Sequence, residues 1–219
     1  MGLRSIAFAL GFLASTLTLA AESPSVPAPI TVPQGNGAPV ITDGIFSPGE
    51  WDDALRVQIH EGVALYIKEY GGVVFLGLRG QGNVSPIGPS ELFIAVPGGP
   101  ITKLHVSWGM SEVVLPPTGA EPASRLGLTT DWYANELRRD EDLGRRLAKE
   151  GKEPIEIIKA TNYPSEGIEF AIRRTRFPGP KWFVRLSVQA LVADRPVMFI
   201  YPESAPERTT EGWLELRIN

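Results

Sequence analysis

Apolar and polar positions alternate with a period of two along most of this chain, and that period predicts strands. "ALYIKEY" (residues 64–70) and "VVFLGLRG" (73–80) are two such runs, joined by Gly71-Gly72. A Gly-Gly link supplies the positive φ angles of a primed turn, so the pair reads as a β-hairpin. In the second run Val73, Phe75 and Gly77 alternate with Val74, Leu76 and Leu78. Both faces are apolar, which suits a strand near the middle of a packed sheet. "ELFIAV" (91–96) is stopped by Pro97-Gly98-Gly99-Pro100, and "ITKLHVSW" and "EVVLPP" follow as further strands. Later come "PIEIIKA", "GIEFAI", "KWFVRLSVQALV", "VMFIY" and "GWLELRI". In the longest, period two puts Trp182, Val184, Leu186, Val188 and Ala190 on the core side, and Phe183, Arg185, Ser187 and Gln189 outside.

The period changes between Asp131 and about Glu150. Thr129, Thr130 or Asp131 can cap a helix there, with Tyr133, Leu137, Leu143 and Leu147 as its apolar stripe and Gly151 as its end. Many short strands separated by turns, without βαβ alternation, predict an all-β fold: an antiparallel β-sandwich, jelly-roll-like, with one inserted α-helix. No repeat of fixed period is present.

The N-terminus changes the picture next. Arg4, an apolar run from Ile6 to Leu19, and Ala20-Ala21 have the form of a signal peptide over residues 1–21. That predicts an exported chain, periplasmic or extracellular, with no transmembrane segment once the leader is removed; an uncleaved anchor is the alternative. Residues 22–39 are proline-rich and read as a flexible tether. The domain proper is then expected over 40–219.

Composition bounds the chemistry. With 219 residues and 43% hydrophobic positions, one domain can bury a core of its own. There are no cysteines, so neither disulfides nor thiolate metal sites are available. His60 and His105 are the only histidines, and a two-histidine metal site would need both. The formal charge of -4 argues against a nucleic-acid partner. No nucleophile elbow, zinc-protease helix, phosphate loop or ordered calcium loop occurs. Nothing points to an enzyme, and no cofactor is expected; calcium is conceivable without a motif to hold it.

Three features in order resemble the family-nine-like carbohydrate-binding modules, within the DOMON-like β-sandwiches. They are Asp43-Gly44 followed by Glu50-Trp51 and Ala54; the hairpin "LYIKEYGGVVFLGLRG"; and "EGIEFAIRR" followed by a long strand and "GWLELRI". The resemblance spans Val40 to Ile218 and is weak between Pro97 and Glu166. It implies a β-sandwich acting as a noncatalytic binding module. None of the family's sugar-stacking tryptophans or metal ligands finds a matching position. Some members of the wider group bind haem through methionine and a nitrogen ligand, for which Met110, Met198, His60, His105 and Lys159 are the available types.

A carbohydrate or similar small polar ligand needs a flat aromatic face beside amide or charged groups. Trp132, Tyr133 and Asn135 supply that composition around the start of the predicted helix, and Trp108 adds an aromatic at a strand end beside Gly109. Arg185 and Gln189, on one outer strand face, are the second part of the candidate ligand site. The alternative for Trp132 and Tyr133 is docking of the helix on the sheet. Arg185 and Gln189 would otherwise be solvated or covered. Trp51, Trp182 and Trp213 read as core anchors. Binding of an envelope protein partner is the competing function, and it calls for an apolar surface instead of a polar cleft.

Overall fold

The computed structural model describes residues 26–219 except 108, 123–124, 127–130, 136–140, 162–164 and 194. Among these the strands are, in chain order, β1 (Ile30–Thr31), β2 (Leu55–His60), β3 (Val63–Tyr70), β4 (Val73–Gly80), β5 (Val84–Ala95), β6 (Ile101–Val106), β7 (Met110–Leu115), β8 (Arg125–Leu126), β9 (Trp132–Ala134), β10 (Gly167–Arg173), β11 (Lys181–Val192), β12 (Arg195–Tyr201) and β13 (Leu214–Arg217). Two helices, α1 (Glu141–Lys149) and α2 (Pro154–Thr161), lie between β9 and β10.

The strands form two sheets. One has the order β1-β13-β11-β5-β6-β7-β8, with β12 also paired to β11; the other has the order β2-β3-β4-β10-β9. All pairings between these strands are antiparallel except β1 with β13. The two inner faces meet in one core that holds Leu65, Ile67, Leu76, Leu92, Ile94, Ile168, Phe170, Trp182, Val184 and Leu186. The fold is the sandwich the pattern predicts, with helix inserted between strands.

The hairpin has its expected form: Tyr70 pairs with Val73, and Gly71 and Gly72 have φ of 60° and 80°. Parity in β11 also holds, with Trp182, Val184, Leu186, Val188 and Ala190 buried on the core side.

Four local expectations change. "PIEIIKA" is helical, not a strand. Pro154 occupies the first helical position, where its missing N–H costs nothing, and a short apolar run does not by itself distinguish strand from helix. Trp132 and Tyr133 are not on a helix; they belong to β9, which pairs with β10. Helix α1 therefore starts later than predicted, and it packs on α2. The fourth change concerns the tether. From Ile30 onward it is part of the sandwich: β1 pairs with β13, Val32 is buried, and Gln34 bridges to Glu69. The predicted signal peptide lies outside the described residues.

Candidate functional site

The opening motif is built into the outer face of the five-stranded sheet. Tyr66, Gly77 and Glu169 form one row across β3, β4 and β10. Trp51 lies over that row, near Phe46 (5.3 Å between ring centroids) and Tyr66 (5.9 Å). Gly77 makes room for it: a Cβ there would stand 2.8 Å from Trp51 Cζ2 and 2.9 Å from Phe46 Cζ. The indole Nε1 donates to Glu169 Oε1 at 2.9 Å, while Glu169 Oε2 accepts the backbone N–H groups of Asp43 (3.0 Å) and Gly44 (2.8 Å). Burial pushes the Glu169 carboxyl up to about 7, against the pull of these donors.

Asn135 completes this arrangement. Its Oδ1 accepts the Glu169 N–H at 2.6 Å and its Nδ2 donates to the Gly167 carbonyl at 3.1 Å. Two elements distant in sequence are thus tied to β10 through side chains. Buried polar groups must be paired, and these are.

A second polar cluster holds the segment before the motif. Lys68 is fully buried and its Nζ donates to Asp53 Oδ1 (2.8 Å) and the Ala38 carbonyl (2.9 Å). Asp53 Oδ2 accepts the Asn36 and Gly37 amides. The Lys68 hydrogen bond, with help from those amides, holds the Asp53 carboxyl down to about 2. Next to it, Glu69 accepts from Gln34 Nε2 and Arg174 Nη1.

The described residues of the predicted ligand set do not come together. Trp132 is buried, and its Nε1 donates to Glu112 Oε2, which shares its carboxylate with Arg176. Asn135 is buried, with its Nδ2 and Oδ1 each bonded to the β10 backbone, so it does not project its amide to the surface. Of Trp132, Tyr133 and Asn135, only Tyr133 is exposed, opposite Ala171 on the outer face of the five-stranded sheet. Trp108 lies outside the described residues. Arg185 and Gln189 are on the other sheet, roughly 13 Å apart along β11 at about 3.3 Å per residue. Arg185 is not open to solvent either. Its Nε donates to the Ala205 carbonyl at 2.9 Å and its guanidinium lies 4.6 Å from the Phe93 ring centre. There it helps hold the segment after β12 over a small apolar cluster of Phe93, Ala95, Ile101, Val113, Leu115 and Trp213. The Trp51, Trp182 and Trp213 indoles are buried as well, donating to Glu169, the Phe177 carbonyl and the Pro206 carbonyl.

On the outer face of the eight-stranded sheet, Glu91, Lys103 and His105 form a polar patch. Glu91 Oε1 is 3.6 Å from both Lys103 Nζ and His105 Nδ1. His105 and then Lys103 hold the Glu91 carboxyl below the usual range. Among the described residues no three His, Asp or Glu side chains converge as a metal site would require. No helix among them is long and apolar enough to cross a membrane.

The remaining feature is an edge. Strand β12 pairs with β11, from Leu186↔Tyr201 to Val192↔Arg195, and no described strand pairs with its other side. It carries three exposed apolar side chains, Val197, Met198 (51% exposed) and Ile200 (41%). By strand parity Met198 and Ile200 share the outer face with Gln189 and Ser187, and Ser187 Oγ lies 3.3 Å from Met198 Sδ. Sequence reasoning identified the "VMFIY" strand but not that it is an edge, because pairing order is not written in a strand's own residues.

No family model, curated protein or solved structure matches this chain.

Proposed function

We propose that this chain is an exported, noncatalytic binding module that engages a protein partner through the β12 edge. The observation that carries the reading is the open side of β12 together with exposed Met198 and Ile200. An edge strand presents unpaired N–H and C=O groups, and a partner strand satisfies them while its side chains meet the apolar ones. The burial of Trp51, Trp132, Trp182 and Trp213 weighs against a stacked-sugar platform built on those residues. A photoreactive side chain placed at Met198 tests the reading against the same probe at Lys149 on α1. With cell-envelope proteins present, position 198 should give a discrete adduct, competed by the unmodified chain but not by the chain carrying Met198→Lys and Ile200→Lys. No adduct at 198, or equal labelling at 149, would remove the reading.

A carbohydrate or similar small polar ligand is the second reading, and exposed Tyr133 favours it. Its family form is a family-nine-like or DOMON-like module. Support for that kinship comes from the motif order, and from the contact between the opening Asp-Gly/Trp segment and Glu169 of "EGIEFAIRR". Binding of the chain to a glycan array, repeated after chelation, tests it: signal lost on Tyr133→Ala supports the sugar, and signal lost on chelation adds calcium. An array without signal leaves the edge reading alone.

A further inference from the structure

Resting on the edge reading above, we propose that the partner is a second copy of this chain, joined β12 to β12 about a two-fold axis centred at Phe199. The residues of β12 select this register. Pro196 pairs with Leu191 in the ladder to β11. A proline in a sheet sits with its nitrogen turned away from the neighbouring strand, since it has no N–H to give. Residues alternate in the direction of their backbone groups along an antiparallel strand, so Met198 and Ile200 point theirs to the open side along with Pro196.

Antiparallel pairing about Phe199 sets Met198 of one copy opposite Ile200 of the other, and the reverse. Both residues present a donor and an acceptor to the open side, so each opposed pair exchanges two backbone hydrogen bonds. Their side chains lie on the same outer face, and cross-strand apolar pairs of this kind stabilise a sheet. Val197 falls opposite Tyr201 on the other face. β12 ends at Tyr201, so the ladder stops at both sides before Pro196 needs a donor from the other copy. Just beyond, exposed Arg195 of one copy comes to the end where exposed Glu203 of the other leaves the strand. An opposite charge therefore lies near Arg195 at each end of the two-fold ladder. With Met198 opposite Met198 instead, Pro196 would face Ile200, taking a donor from the ladder, and Arg195 would face Tyr201 with no charge to meet.

Sedimentation velocity of the full chain over a concentration series tests the second copy. A concentration-dependent dimer is expected. Arg195→Glu or Glu203→Arg alone should weaken it by roughly threefold to tenfold, as two partly exposed ion pairs allow, and the two changes together should restore it. Met198→Lys should leave monomer. The chain has no cysteine, so register can be read by oxidation: Met198→Cys mixed with Ile200→Cys should give a mixed disulfide in greater yield than either variant alone. A chain that stays monomeric throughout, or a Met198→Cys variant that links chiefly to itself, overturns the proposal. A monomeric chain that still gives the competed adduct at position 198 overturns the second copy and leaves the edge reading standing. A monomer without adduct removes both.

Discussion

The indole N–H of Trp51 donates to the carboxylate of Glu169, 2.9 Å away in space and 118 positions away in sequence. This bond joins the loop that opens the domain to β10, an inner strand of the five-stranded sheet. Removing the donor while keeping an aromatic ring isolates its contribution. Trp51→Phe should cost about 1–3 kcal/mol, the penalty of leaving a buried acceptor short of a partner. Trp51→Ala should cost about 3–5 kcal/mol, because a cavity is added. Urea denaturation of both variants gives the comparison.

Gly77 predicts a complementary loss. Its place in β4 needs no unusual backbone, yet a methyl group would collide with Trp51 and Phe46. Gly77→Ala should therefore destabilise by about 1–3 kcal/mol as an overpacking change. In a strand otherwise free to take alanine, the same substitution would be neutral or stabilising. In the double variant Gly77→Ala with Trp51→Phe, the two effects should be non-additive, since the residues touch.

Glu169 also sets a pH dependence. Its carboxyl is raised from 4.5 to about 7 in the folded state. A raised acid favours folding most when protonated, so its contribution is fully present below about pH 4.5 and declines as pH rises through 7. The size of the change is about 3 kcal/mol at 1.36 kcal/mol per unit. Denaturation midpoints from pH 4.5 to 8 should fall in the native chain, and Glu169→Gln should flatten that part of the profile. An identical slope in the variant would assign the dependence to another group.

Lys68 and Asp53 give the opposite sign. Asp53 is lowered to about 2, so its contribution is present above the ordinary value of 3.8 and is lost as pH falls through about 2. Lys68→Met should reduce that acid loss, leaving the part due to the Asn36 and Gly37 amides. It should also destabilise by about 1–3 kcal/mol, because Asp53 loses its hydrogen-bonded cation. Hydrogen exchange at the Asn36 and Gly37 amides should speed up, since Asp53 is what holds them.

These same residues mark how far the sequence could be read. Parity in β11 and the Gly71-Gly72 turn are local facts, and both were legible. Trp51 was legible as an anchor, but its partner is a carboxylate supplied by another sheet element, which no spacing reveals. Lys68 is by type a polar strand position; its burial against segment 34–38 and Asp53 is a tertiary fact that its neighbours in sequence do not carry. Asn135, Arg185 and Trp132 had the composition of a ligand site and are instead spent on Glu169, Ala205 and Glu112. A polar side chain's type is visible in sequence, whereas the partner that consumes it depends on tertiary contacts. Tyr133 was placed on the wrong element because three residues of strand gave too short a pattern to compete with the helical one that follows.

Tyr133 and Trp132 should separate under substitution for the same reason. Tyr133→Ala, at an exposed site, should change stability by no more than about 0.5 kcal/mol. Trp132→Phe should destabilise by about 1–3 kcal/mol, because Glu112 loses a donor in a partly buried place. Thermal melts of the two variants distinguish a surface aromatic available to a ligand from a structural one.

Backbone hydrogen exchange at Met198 and Ile200 tests the binding account most directly. It should be read on the full chain at low and high concentration, and again with the protein captured at position 198. If β12 is the binding edge, these two amides slow by about tenfold or more on engagement while loop amides such as Gly98 stay fast. Unchanged exchange at both amides in every engaged state would contradict the assignment of β12 as the binding surface.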